Sequence, residues 1–403
     1  MNVVIVNDFA YVNGGAARVA LFSAKALAAR GVQVHVFAGA GPVDPELLEA
    51  PNLKVTCLDH RPYNDMPLKR SLVAGLWDKA AATAFESVLD VQPDSIVHFH
   101  SNRDTLSSSV FAPVFKRKLP VVYTCHEYGL TCPYANFFDF KTHGICSRKA
   151  LSLSCLTAHC NQKGYSRKVW TYTKQAIQNG YLQVPNRLGD VVFVSDFSRR
   201  IIEPYLTRAG RRHVLSNPVD AVPGQKRKLT EDSPFVFVGS LVPGKDPVIA
   251  AAAAHKLDVP IRFIGDGELH EEVMRANPNA VITGWLKPEQ VREEMLKARA
   301  IVLPTRWYET QGLVVQEAAA LGVPAIVTRT CAASENIQDR KNGFLIDASN
   351  EGQLAAAMEK LSSGQVACEM GAAAYGQFWS KPPTLDNHVN GLLSIYEGAL
   401  KNA

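Results

Sequence analysis

The chain has 403 residues, 47% hydrophobic and 20% charged, an ordinary composition for a protein with a large core. That length exceeds what a single core holds, so two domains of roughly 200 residues each are expected. No run of about 18 apolar residues is available to cross a bilayer, because Glu317 and Pro324 interrupt the longest candidate. Charge is divided unevenly, with 25 Lys and Arg against 16 Asp and Glu as far as Leu215, and 18 against 22 beyond it. A basic first half suits phosphates, nucleic acid or an anionic membrane, or is simply an uneven solvated surface.

In chain order, "NVVIVNDF" is a short apolar run followed by Gly14 and Gly15 and then by "ARVALFSAKALAARG", which is apolar at helical spacing. This start lacks a basic leader region and reaches Asp8 too soon for a secretory signal peptide, so a cytosolic chain is expected. "VQVHVFAG", "SIVHFHS", "PVVYTCHE" and "DVVFVSD" repeat the strand signal with helical patterns between them, which predicts a parallel sheet covered on both faces. His98 and His100 alternate along one of these strands, and at most one is expected to face a ligand.

"VDAVPGQKRKLTEDSP" carries no apolar period and reads as a linker, after which "FVFVGS", "IRFIGDGE", "AVITGW", "AIVLPT" and "PAIVTR" restart the rhythm. The fold class is α/β: two doubly wound domains, with ligands expected in a cleft at the carboxyl ends of their strands. The expected boundaries are 1–215, a linker at 216–234, 235–380, and a helix at 381–403 that returns to the first domain.

"AIVLPTRWYETQGLVVQEAAALGVPAIV" reads as strand, loop, helix and strand. Glu309 falls in the loop, Gly312 allows a tight helix entry, and Glu317 follows about two turns later. Eight helical residues span on the order of 12 Å. Two carboxylates so placed can hold hydroxyls at opposite ends of an extended polyol, with an anion at the helix N-terminus between them. Taken alone, one surface carboxylate and one helix salt bridge are the simpler explanation of the pattern.

This stretch resembles the Glu-x7-Glu region of the retaining glycosyltransferases of family four. "NGGAARVA", "CHEYGLTCP", "VSDFSRR", "SNPVD", "VGSLVPGKDP", "GDGE" and "ASENIQDRKNGFLID" match the same family in the same order over nearly the whole chain. The resemblance implies the GT-B fold of two Rossmann-like domains, with the acceptor side first and the nucleotide-sugar side second. It implies that Glu317 binds the ribose hydroxyls, that Glu309 lies near the donor sugar and its leaving phosphate, and that Lys245 neutralises the diphosphate. Gly239, Ser240, Gly312 and Leu313 belong by the same resemblance to the donor site. Gly14 and Gly15 match the first glycine loop and are expected by the resemblance to bind the donor. His126 matches a histidine near the transferred sugar and is expected, with Lys245 and Glu309, to be catalytic.

Two positions depart from the family. Ser240 stands where an arginine usually clamps the diphosphate, leaving Lys245, helix N-termini, Arg306 or Arg18 to supply charge. Gln311 stands where an aromatic is common. The implied function is retaining transfer from a UDP-, GDP- or dTDP-linked sugar to a hydroxyl of a glycan or lipid-linked glycan, with no nucleic-acid partner and no metal required for chemistry. The alternatives are a non-catalytic nucleotide-sugar binder and a nucleotide-sugar epimerase of the same fold; the short chain and the lack of a lysine-anchored pyridoxal site speak against a phosphorylase.

An insert at about 128–165 breaks the αβ rhythm and carries Cys132, Cys146, Cys155 and Cys160. Four thiols make a ligand set for structural zinc, although they lack the tight CxxC pair; free or buried thiols are the alternative. Downstream, Lys163, Arg167, Lys168 and Lys174 interleave with Tyr165, Trp170 and Tyr172, and "MPLKRSLVAGLW" offers a second basic and apolar patch. Both suit peripheral contact with an anionic membrane at its cytoplasmic face, or an ordinary solvated helix.

Overall fold

A computed structural model describes residues 1–208 and 210–401, with all their side chains but that of Leu68. Ala209 of the expected first domain and residues 402 and 403 of the expected C-terminal helix lie outside the described residues. The strands are β1 (Asn2–Phe9), β2 (Gln33–Ala40), β3 (Leu53–Cys57), β4 (Ile96–Phe99), β5 (Val121–Cys125), β6 (Phe138–Asp139), β7 (Gly144–Ile145), β8 (Asp190–Phe193), β9 (Arg211–Val214), β10 (Phe235–Val238), β11 (Ile261–Ile264), β12 (Val281–Ile282), β13 (Ala300–Leu303), β14 (Ala325–Thr328) and β15 (Gly343–Ile346). They fall into two units. The first comprises Met1–Asn136, Ser147–Pro218 and the helix Leu385–Lys401; the second comprises Phe137–Cys146 and Val219–Thr384.

The first unit is built on a parallel sheet of order β3-β2-β1-β4-β5-β8-β9. Its central strands are runs of β-branched residues because both faces are covered, and Val3, Val4, Ile5 and Val6 are all fully buried. On one face Val3, Ile5, Val36, Ile96 and Val122 pack with Ala20, Leu27, Val389, Leu392 and Tyr396 from the helices Gly15–Ala29 and Leu385–Lys401. Val389 and Leu392 each contribute about 1.5–3 kcal/mol by this burial. On the other face Phe37, Phe85, Phe99 and Phe111 form a ladder with centroid separations of 4.5, 6.5 and 4.0 Å.

The second unit repeats the plan with order β12-β11-β10-β13-β14-β15, all parallel. Alternate residues go to opposite faces: Phe235, Phe237 and Val302 join Ala250, Leu354 and Met358, while Val236, Ile301 and Leu303 join Met295, Val315 and Ala318. In both sheets the order of connection reverses beside the first strand, between β1 and β4 and between β10 and β13. Those are the points where open parallel sheets take ligands at their carboxyl ends.

Two expected boundaries need correction. The segment read as a linker is bound to the second unit: Val219 N–H donates to Pro383 O (2.8 Å), Arg227 N–H to Leu321 O (2.9 Å) and Lys228 N–H to Leu296 O (3.0 Å). The Arg227 side chain donates to the carbonyls of Ala298, Arg299 and Ala367. Such pairing needs no apolar period, which is why the segment looked structureless. The expected Cys-rich insert is also divided, because the antiparallel hairpin of β6 and β7 belongs to the second unit, as does residue 381 up to Thr384.

Candidate active site

After β10 the chain passes Gly239, Ser240 and the short turn Pro243–Lys245; after β13 it passes Thr305 to Gln311 before the helix Leu313–Ala320. Gly239 has φ +141°, and a Cβ added there would lie 2.8 Å from Lys245 Nζ, so the lysine side chain runs over the space that glycine leaves. Gly312 caps the helix with φ +68°, and its missing Cβ would stand 2.6 Å from Ala333 Cβ.

This arrangement brings Lys245 and Glu309 together, with Nζ 3.3 Å from Oε1 and side-chain exposures of 20% and 22%. The pair is largely shielded yet still open to a ligand. Ser240, Leu313 and Glu317 are partly buried, the last two within the helix itself. Arg306 is not available to replace the missing family arginine: Nε and Nη2 grip Asp246 Oδ2 (2.5 Å) and Oδ1 (2.9 Å) in a bidentate pair. Gln311 is turned inward and only 4% exposed, donating to Gln316 Oε1 at 3.4 Å, so it fills a core seat rather than the site. Sequence reasoning missed Trp307, whose indole N–H donates to Glu309 Oε1 at 3.3 Å. A lone tryptophan two residues ahead of a singled-out glutamate was the available signal.

The first unit holds the other expected residues. Gly14 has extended backbone (φ 169°), and a Cβ on it or on Gly15 would meet nothing within 4 Å, so the chain itself does not demand glycine at either place. His126 follows β5 directly, its Nε2 2.9 Å from His100 Nδ1. His98 and His100, two residues apart, share one face of the sheet with ring centroids 4.1 Å apart, which corrects the expected alternation. His98 is held at both nitrogens, by the Tyr396 hydroxyl (2.7 Å) and by Thr124 Oγ1 (2.8 Å). Burial, with His388 adding to it, lowers His126 to about 3, and burial pushes His98 and His100 well below the ordinary histidine value. All three imidazoles are therefore neutral near pH 7. Asp8, fully buried at the end of β1, accepts from the backbone N–H groups of Arg103 (2.7 Å), Thr105 (2.9 Å) and Leu106 (2.9 Å), which fixes the loop after β4.

Cys146 belongs to the second unit and Cys132, Cys155 and Cys160 to the first, and among the described residues no group of three or more His, Cys, Asp or Glu is placed to hold a metal. The partner of Cys155 Sγ is the buried Lys168 ammonium, 3.4 Å away. Lys168, Lys174 and Trp170 are 1%, 6% and 8% exposed, so this part of the expected membrane patch faces inward. Among the described residues no helix is long and apolar enough to cross a membrane.

Residues 13–222 match the family model described as Glycosyltransferase Family 4, and residues 233–363 match Glycosyl transferases group 1. The chain is 25% identical to the D-inositol 3-phosphate glycosyltransferase of Acidothermus cellulolyticus, over 94% of this chain and 84% of that one. It is 24% identical to an uncharacterized 42.6 kDa protein in the cps region of Klebsiella pneumoniae, over 83% of this chain and 87% of that one. Among solved structures, sucrose-phosphate synthase from Thermosynechococcus elongatus aligns with a TM-score of 0.73 over all of both chains at 15% identity. Anabaena HepE in complex with UDP aligns at 0.65 over 99% of this chain and 100% of that one, at 16% identity. The fold is thus α/β of the GT-B type, with two Rossmann-like units. With more than half of its length matched by one family model, the chain is a glycosyltransferase and belongs to Glycosyltransferase Family 4.

Proposed function

We propose that the chain transfers a sugar, with retention of anomeric configuration, from a nucleotide diphosphate donor to a hydroxyl of a glycan or lipid-linked glycan. The observation that carries this reading is the Lys245–Glu309 pair at the reversal point of the second sheet. When a diphosphate arrives, the ammonium can leave the carboxylate for the phosphate oxygens and neutralise charge that grows as the bond to the sugar breaks. Glu309 is then free to take a sugar hydroxyl, and Glu317 the ribose. With the acceptor hydroxyl attacking on the face from which the nucleotide leaves, no protein nucleophile is needed, and alignment and charge do the catalysis. No bound metal is required in this scheme, since Lys245 and the N–H groups that start the helix at Leu313 supply positive charge. Metal analysis of protein purified without chelator tests whether the insert cysteines hold a structural zinc.

The relatives support a nucleotide-sugar donor. The Corynebacterium glutamicum relative, 31% identical over 34% of the chain, is a GDP-mannose-dependent alpha-mannosyltransferase. Anabaena HepE has been solved with UDP-glucose. Support for a hydroxyl-rich acceptor comes from the first unit, where buried Asn102 follows β4 with both polar side-chain atoms lacking a hydrogen-bond partner among the described residues. Peripheral membrane contact rests on the helix Leu68–Leu76, which exposes Lys69, Arg70, Leu72 and Val73 together, Val73 at 69%. Lack of binding to anionic vesicles at low salt would count against it, and with it against placement at the cytoplasmic membrane face.

The deciding experiment is a screen of UDP-, GDP- and dTDP-linked sugars for thermal stabilisation, followed by transfer assays on the hits. A donor at 100 times its Kd adds about 2.7 kcal/mol. Binding without transfer or hydrolysis would favour a non-catalytic binder, and interconversion of the donor sugar an epimerase.

A further inference from the structure

The hairpin Phe137–Cys146 lies in sequence inside the first unit's insert, yet it packs within the second. Its contacts fall on the loop that carries Glu309. Phe138, 1% exposed, meets Trp307 edge to face at 6.1 Å, and Phe137 lies 6.4 Å from Tyr308. The indole in turn lies over Gly244, where an added Cβ would meet its Cε3 at 2.1 Å. Gly244 O accepts from Thr305 Oγ1 (3.0 Å) and from the N–H groups of Arg306 (2.8 Å) and Trp307 (3.3 Å), which closes the loop onto the Pro243–Lys245 turn. From this seat the indole N–H reaches the same Glu309 oxygen as the Lys245 ammonium.

We propose that the hairpin and Trp307 form a positioning device for Glu309: Phe138 and Gly244 fix the indole, and its N–H aims the carboxylate at the donor sugar. This rests on the reading of Lys245 and Glu309 given above. In the free protein Glu309 has two partners. Once Lys245 turns to the diphosphate, the indole N–H is the partner that stays, because its ring is held on both sides. A glutamate side chain without it would sample several rotamers, and each misplacement subtracts from turnover rather than from donor binding.

The test uses the full chain. Trp307→Phe keeps a ring between Phe138 and Gly244 and removes the N–H. Its kcat with the donor found by screening should fall about tenfold or more, as expected for a lost hydrogen bond to a charged group, while donor KM and Tm change little. Gly244→Ala, which displaces the indole without changing its chemistry, should give a loss of the same kind. In Trp307→Phe combined with Glu309→Gln the losses should not multiply, since one acts through the other. A wild-type kcat in Trp307→Phe, or losses that multiply, would overturn the proposal.

A second measurement needs no activity. In protein carrying 15N-labelled tryptophan, the Trp307 indole N–H resonance, assigned by elimination among the five tryptophans, should move in Glu309→Gln. An unmoved resonance would overturn the pairing even if Trp307→Phe failed to fold. If the wild type transferred no sugar from any donor, the proposed function would fall, while the resonance would still decide whether Trp307 holds Glu309.

Discussion

The two sheets share one plan and end in opposite chemistries. Beyond β4 and β5, His100 and His126 face each other at 2.9 Å, and burial keeps both uncharged. Beyond β10 and β13, Lys245 and Glu309 stand as an ion pair at 3.3 Å with about a fifth of each side chain open to water. Depth makes the difference. Ionic groups keep their charge where water still reaches them, whereas groups sealed in the sheet lose it. A neutral imidazole can donate or accept toward a hydroxyl, while a cation is what a diphosphate requires. The same fold thus offers an uncharged end and a charged end, each at a chain reversal.

The strongest way to break this contrast is to remove the charged end. Lys245→Ala should lower turnover roughly 100- to 1000-fold, as loss of one charge-stabilising donor does in other enzymes. Its circular dichroism and melting should stay close to wild type, and near-normal rates would show that the ion pair is ornamental. The uncharged end is probed by acid. A histidine held at about 3 when folded and near its ordinary 6.5 when unfolded binds fewer protons in the folded state across that window. Stability is therefore full above pH 6.5 and is lost as pH falls toward 3, by up to about 1.4 kcal/mol per pH unit for each such imidazole. Melting as a function of pH should show this acid limb, and His126→Gln should flatten it. An unchanged limb would mean that these rings are not held neutral.

Lys174 sharpens the comparison from the basic side. Burial and the nearby Arg103 lower it to about 7, and its Nζ donates to Arg103 O at 2.5 Å. Between about 7 and its ordinary 10.5 the folded state has released a proton that the unfolded chain keeps, so stability should rise with pH in that window. Lys174→Met should remove the rise, as read from denaturant midpoints at pH 7 and 10. The smallest effect is expected at Gly312→Ala, where the left-handed conformation and the contact with Ala333 should cost about 1–3 kcal/mol in the second unit. Melting within error of wild type would mean that this turn relaxes freely.

The sequence made the central strands and the glycine-led helix starts legible, because each depends on local periodicity. Lys245 and the role of Glu309 came from the resemblance to the family, and the less apolar strands β3 and β9 and the short β15 were not read. The partners that tune those residues were not legible. The bidentate Arg306–Asp246 pair joins residues 60 apart, and the His98–Tyr396 hydrogen bond joins residues 298 apart, so no local pattern encodes either. Lys168 and Lys174 misled because a basic helix looks the same whether its cations meet lipid, sulfur or a carbonyl oxygen.

The interleaving of the two units also sets a schedule for biosynthesis. The first sheet is made early, but the Val389, Leu392 and Tyr396 that cover one of its faces arrive with the helix Leu385–Lys401, after the whole second unit has left the ribosome. Phe138, by contrast, is made well before the Trp307 it supports. The first unit therefore waits for a segment that follows the second, and its nascent sheet stays partly uncovered until that helix emerges. That places this protein among those whose early intermediates expose apolar surface and benefit from chaperones.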